Sequence, residues 1–313
     1  MNKKLFSQII FIFLFLWLAF PNALNAQVQI SAGPVIAVNL GKYDEYVYSF
    51  SGRSIVSKLE WQQLPLIKLG ALCQACAGNF VFSSDFFYAL PFQCGKMYDS
   101  DWNHYGTKTT YSISNNYAKQ NYSFSFEGAY KIKLKNLCFA PSLCFDYSYD
   151  SFQSNQGHGW YGSESYSKTK KDVSWDSENA TYFKKLSRID LIRQDWYVFA
   201  GLGLCYNVND YFKLKASTYI SPFAGTSNKD YHHDDTGKNE DFHLDSSQSS
   251  SFARFKESLG VEYYLNETVQ VFFNAIVLFG GIQKGQLEGQ EQNAGTDVFL
   301  TQIKIGLIFT SAP

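Results

Sequence analysis

Four side chains in two short stretches have the types and spacing that could do chemistry. "KMYDSDWNHY", residues 96 to 105, sets Asp99 and Asp101 one residue apart, and "NKDYHHDD", residues 228 to 235, sets Asp230 and His232 at the same spacing. Residues i and i+2 of a strand point to one face, so each pair projects together if its stretch is extended. Two close carboxylates do not readily both ionise, so one holds a proton or shares it through a water. A histidine oriented by an aspartate keeps one tautomer and can take a proton from water as general base. A water held between Asp99 and His232 could attack a peptide carbonyl, with the second carboxyl group available to the oxyanion or the leaving amine. As bare motifs, Asp-Ser-Asp and Asp-x-His are ordinary in surface loops. His104, His158, His233 and His243 read as solvated loop residues, and His233 has the wrong parity to share the face of His232.

The elements that must hold these pairs are strands. In "YSFSFEGAYKIKL" the residues Tyr122, Phe124, Phe126, Tyr130, Ile132 and Leu134 share one parity, while Ser123, Ser125, Glu127, Lys131 and Lys133 share the other. That is one apolar face and one wet face. "YFKLKASTYI" repeats the pattern with Phe212, Leu214 and Ile220 against Lys213, Lys215 and Ser217. "DVFLTQIKIGLIF" does so with Phe299, Ile303, Ile305, Leu307 and Phe309 outward. Lysines within apolar strands make sense if they face the polar interior of a barrel. Roughly ten such strands are counted, an even number as in bacterial barrels, at 28–49, 54–73, 79–94, 119–134, 138–152, 186–206, 210–226, 250–265, 267–282 and 296–309. Short turns alternate with long polar stretches near 95–118, 153–185, 227–249 and 283–295, which predicts short periplasmic turns and long outer loops. Both acidic pairs fall where those long stretches begin, so they could face each other across the barrel mouth.

Composition points the same way. Aromatics make up 18% of the chain, far more than a soluble core needs, whereas a transmembrane barrel sets rings on its lipid face and in girdles at both interfaces. A net charge of −1 with no basic stripe excludes a nucleic-acid partner. The opening stretch, with Lys3 and Lys4 ahead of an apolar run from Ile9 to Phe20, reads as a signal peptide over 1–26, cut between Ala26 and Gln27. Residues 27–313 then form a single barrel domain, without repeat or linker. Of the six cysteines, Cys73 and Cys76 sit where a strand gives way to a turn and export would permit them a disulfide; the other four read as small buried hydrophobes. One CxxC without a second ligand pair is a weak metal signal, and no cofactor is expected. A pore is disfavoured, because a barrel this narrow is filled by its own side chains.

Read in order, several fragments resemble the omptin family of outer-membrane aspartyl-type endopeptidases. "SAGPVIAVNLGKYDEYVY" is similar to the family's Gly-Lys…Glu-x-Val-Tyr pattern, and "GRSIVSKLEW" to its Gly-Arg-x-Val-Ser-x-Leu-Asp-Trp with one inserted residue. "GKMYDSDW" resembles Gly-x-Met-x-Asp-x-Asp-Trp, and "DYHHD" resembles Asp-x-His-x-Asp. The resemblance implies an all-β, ten-stranded antiparallel up-and-down barrel in the outer membrane of a double-membraned bacterium, a monomer acting on peptides or proteins at the exterior. It makes Asp99 and Asp101 a carboxylate couple and Asp230 with His232 a dyad, His232 activating the water and Asp230 orienting it. It also makes Glu45 the acid of a pocket for a basic side chain before the scissile bond. Charge-assisted hydrogen bonds would supply that selectivity. The second pocket acid is here Asn228, with Lys229 beside it. Lipopolysaccharide activation is a family trait, but the fifth strand offers "FDYSYDSF" where arginine and glutamate would be expected. The alternative reading is a non-enzymatic surface barrel, an adhesin or inactive homologue.

Overall fold

The computed structural model describes residues 28–233 and 239–311, so the stretch expected as a signal peptide lies outside the described residues. The described chain contains no helix. Its strands are β1 (Val28–Tyr48), β2 (Ile55–Ala77), β3 (Phe80–Ala89), β4 (Gln93–Trp102), β5 (Lys108–Tyr130), β6 (Ile132–Leu134), β7 (Leu137–Tyr161) and β8 (Thr181–Phe183). They continue as β9 (Ile189–Asn207), β10 (Phe212–His233), β11 (Glu240–Ser250), β12 (Arg254–Tyr264), β13 (Val269–Gly280), β14 (Gln283–Leu287) and β15 (Gln290–Thr310). All pairings are antiparallel, and β1 closes the ring on β15. β3 with β4, β11 with β12, and β13 with β14 each make the two halves of one wall strand, so the ring has ten walls.

The alternating pattern sorts side chains as the sequence suggests. Phe124, Phe126, Tyr130, Ile132 and Leu134 are exposed on the outside, as are Leu214, Phe299, Ile305, Leu307 and Phe309. From Phe309 to Phe299 this belt is roughly 25 Å tall for a tilted strand, the height of a membrane's apolar core. Its upper edge is marked by Lys42, the outward partner of Phe299, which bonds Glu60 at 2.6 Å. Tyr88, Tyr122 and Tyr149 lie side by side on three neighbouring strands, with Tyr122 and Tyr149 stacked at 5.1 Å. "FDYSYDSF" therefore turns tyrosines outward at this level.

Inside the barrel, lysines face carboxylates: Lys304 meets Asp85 at 2.6 Å, Lys256 meets Asp146 at 2.8 Å, and Lys215 meets Glu262 at 2.8 Å. Apolar groups share the interior. Tyr43, Leu59, Trp61, Leu66, Met97, Phe152 and Leu191 form the largest buried cluster among the described residues, with Leu59 and Leu191 directly beside Asp99 and Asp230 on the neighbouring strands. A cavity of about 130 Å³ remains below, bounded by Tyr43, Phe87, Tyr197 and the lysines just named from β12 and β15.

Three of the four stretches expected as loops are largely strand, while 153–185 is loop over 162–180. Residues 95–118 hold most of β4 and the first part of β5, 227–249 hold the end of β10 and most of β11, and β7 runs on to Tyr161. Above the belt both wall faces are wet, so the two-residue hydropathy period disappears while the hydrogen-bonded ladder continues.

Candidate active site

Asp99 and Asp101 owe their direction to a bulge. On β4, Cys94 and Met97 are both buried although three residues apart, because Gly95 (φ +123°) interrupts the register between Gln93 and Lys96. Beyond the bulge odd numbers face inward, and Met97, Asp99 and Asp101 stand in one column. Asp99 lies between Leu59 of β2 and Ser112 of β5, and Asp101 between Ser57 and Thr110. The two hydroxyls at Asp101 donate to its carboxylate. Burial and then the charge of Asp101 push the Asp99 carboxyl well above the usual range, against Lys108. Burial raises Asp101 too, but the Ser57 and Thr110 hydrogen bonds and Lys108 oppose it. The proton of the couple therefore rests on Asp99. Lys108 packs against the rings of Trp102, Tyr111 and Trp175, 4.1 Å from the Tyr111 centroid.

On β10 the even residues Thr226, Asn228 and Asp230 are buried, and His232 is half-buried in the same column. Asp230 shares a hydrogen bond with Glu45 of β1, across the barrel interior. Two carboxyl groups so joined hold a proton between them. Burial, followed by the charge of Glu45, holds that proton on Asp230, and the charge of Asp99 adds to the effect. The couple on β4 is thus close enough to act electrostatically on the column of β10. Glu45 itself is pushed up to about 7 by burial, opposed by Arg193 and by hydrogen bonds from Asp230 and the Trp61 indole, the latter at 3.2 Å. Asn228 Oδ1 beside them is buried without a partner.

The His232 ring lies flat on Phe242 of β11, centroids 4.3 Å apart. Burial and then His233 hold its pKa down to about 4, so the imidazole is neutral near neutral pH. Its Nε2 is buried and has no hydrogen-bond partner. The described hydrogen bond of Asp230 goes to Glu45. His233 is not solvated: its Nε2 lies 3.1 Å from both Arg188 Nη2 and Asp190 Oδ2. His243 bonds Glu240 at 2.6 Å on the exposed surface.

The floor beside Asn228 was not anticipated from sequence. Its partner on β9 is Arg193, fully buried, bidentate on Asp195, bonded to Thr296 at 2.6 Å and 4.1 Å from the Tyr43 ring. "RQD" over 193–195 carries the same i, i+2 spacing as the acidic pairs, which was the available signal. Thr296, opposite Glu45 on β15, lies beyond Phe299, so this constellation stands above the apolar belt.

A family model described as the Omptin family matches residues 25–304. The chain belongs to the omptin family. Its place is accordingly the bacterial outer membrane. Among solved structures, the outer membrane protease OmpT from Escherichia coli shares the fold at TM-score 0.76 and 17% identity, covering 90% of this chain and 97% of that one. OprG from Pseudomonas aeruginosa (TM-score 0.37, 9% identity, 92% and 98% covered) and Ail of Yersinia pestis (0.31, 8%, 90% and 98%) also match, at scores that carry no argument. A search of curated proteins returned no match.

Proposed function

We propose that this omptin is a monomeric surface endopeptidase that hydrolyses peptide bonds with a water activated between His232 and Asp99, after a basic residue recognised by Glu45. One observation carries the reading: the bare, buried Nε2 of His232 shares an interior with the paired carboxyl groups of Asp99 and Asp101. His232 takes the proton of the attacking water, and the Asp99 carboxyl donates to the developing oxyanion. Asp101, fixed by Ser57 and Thr110, keeps that proton on Asp99 through its charge. A cationic side chain reaching Glu45 replaces the proton shared with Asp230. Asp230 is then an anion, free to turn toward His232 and stabilise the imidazolium.

The engagement of Asp230 with Glu45 and the uncharged Asn228 favour a second reading, a non-enzymatic barrel. A mixed peptide library incubated with purified, folded protein separates the two, with and without lipopolysaccharide, which we carry as a proposed activator. Cleavage after Lys or Arg is expected, falling by about 10²–10⁴-fold in Asp99→Asn and His232→Ala. No cleavage in either condition leaves the second reading. Cleavage that survives His232→Ala removes the base assignment, and a preference for acidic or aromatic residues before the cut removes the Glu45 pocket.

A further inference from the structure

The motif that sequence singled out for a disulfide is not the one the fold prepares. Cys73 and Cys76 lie on one continuous strand, β2. At three residues apart their Cα atoms are separated by about 10 Å and their side chains leave opposite faces, beyond what an S–S bond spans. Cys138 of β7 and Cys205 of β9 are instead direct partners across the ladder. Their parity is that of buried Cys144 and Phe199, so both point into the barrel, while Leu143, Leu204 and Tyr206 of the other parity are exposed outside. Both are free thiols in the structure, close enough to interact electrostatically, with Cys138 Sγ donating to the Phe139 carbonyl at 3.6 Å. Opposed Cα atoms of an antiparallel ladder are about 4.5–5.5 Å apart, inside the range a disulfide requires. Each cysteine is also within three residues of a tight turn: Lys135 (φ 51°) bends the chain before Cys138, and Asn207, just after Cys205, donates its N–H to Asn136. The pair thus sits at the short-turn end of the barrel, far from the Asp99 and Asp230 columns.

We propose that Cys138 and Cys205 form a disulfide in the mature protein and that they are the chain's redox-modifiable pair. Both faces of an outer membrane lie outside the reducing cytoplasm, which permits the bond to form and persist. The oxidant is a protein disulfide of the exporting compartment. One thiolate attacks a sulfur of that disulfide, forming a mixed disulfide and releasing one donor thiolate. The second thiolate then attacks the cysteine sulfur of the mixed disulfide, closing Cys138 to Cys205 and releasing the other donor thiolate. The donor gains two electrons and the two protons and leaves as a dithiol. The bond adds a covalent link between β7 and β9 at the end of a ladder that Leu137, Tyr206 and the Asn207–Asn136 hydrogen bond already hold.

Outer membranes carrying the full chain would be quenched in acid, alkylated with N-ethylmaleimide, digested and read by mass spectrometry with and without dithiothreitol. The expected result is one cross-linked peptide joining Cys138 to Cys205 that disappears on reduction, with Cys73 and Cys76 alkylated from the start. Cys138→Ser should expose Cys205 to alkylation without reductant, and Cys205→Ser should do the same for Cys138. Alkylation of both cysteines in the unreduced parent, or linkage of either to a different cysteine, overturns the proposal. Neither result depends on whether the protein cleaves peptides.

Discussion

Glu45 and Asp230 join the specificity pocket to the dyad through one proton, which makes the pocket sensitive to pH. Glu45 titrates near 7 in the folded protein, above its usual value. Between those values the native state binds more protons than the unfolded chain, so this group's contribution to stability is complete at low pH and is lost as pH rises through about 7. Glu45→Gln should remove that slope, a difference approaching about 3 kcal/mol at its ceiling; denaturant midpoints at pH 5 and pH 8 read it. His232 acts in the opposite sense, because its pKa is depressed to about 4: its contribution is present above about 6.5 and lost as pH falls toward 4. Binding follows the same protons. KM for a peptide with Arg before the cut should fall as pH rises through about 7 in the parent and stay flat in Glu45→Gln. Asn228→Asp adds an acid to a buried position beside Arg193 and should improve the preference for Arg over a neutral residue by about tenfold, the effect of one charge-assisted hydrogen bond. A ratio of kcat/KM values unchanged by Asn228→Asp would show that Arg193 already neutralises the added charge.

At the scale of the element, β4 decides whether the carboxyl couple exists. An added Cβ at Gly95 would meet Gln62 Cβ at 2.9 Å, and its φ of +123° is costly for other residues. Gly95→Ala should therefore shift the register so that Asp99 and Asp101 leave the interior, lowering kcat by at least about 10²-fold while the barrel still folds, as judged by its resistance to unfolding in detergent before heating. What could be read from sequence follows the same physics. Inside the lipid belt, Phe299, Ile305 and Phe309 against Lys304 announce the strand and its faces, because lipid and interior demand opposite polarities. Above the belt that demand ends, and β4, the start of β5, β11 and β14 read as loops. The i, i+2 spacing correctly implied that Asp99 and Asp101 share a face, but the bulge that points the face inward leaves only a glycine in the sequence. Arg193 and Asp195 were missed because a buried, bidentate pair looks like any charged stretch until Tyr43 and Thr296 are brought beside it from distant strands.

For the whole molecule, the ring of strands sets the cost of a charge by the direction it faces. Ile305 is 53% exposed near the middle of the apolar belt, beside Ile36 and Phe273 on the neighbouring strands. Lys304, one residue away, is buried inside and meets Asp85 at 2.6 Å. Ile305→Lys should lower the unfolding free energy in lipid by about 2–4 kcal/mol, whereas Phe299→Lys, at the upper edge beside Lys42, should cost only about 0–1 kcal/mol. Denaturant titration in phospholipid bilayers of defined thickness measures both. Equal costs at the two positions would mean that the belt does not end at Phe299, and that Glu45, three residues further along its ladder, lies at membrane depth. Lys304→Met tests the inner face. It replaces a lysine with an apolar residue, the change that lipid would favour, yet it leaves Asp85 without its cation and should destabilise the barrel by about 3–5 kcal/mol. Destabilisation both by adding a lysine at 305 and by removing one at 304 follows only if the wall separates lipid from a charged interior between those two residues.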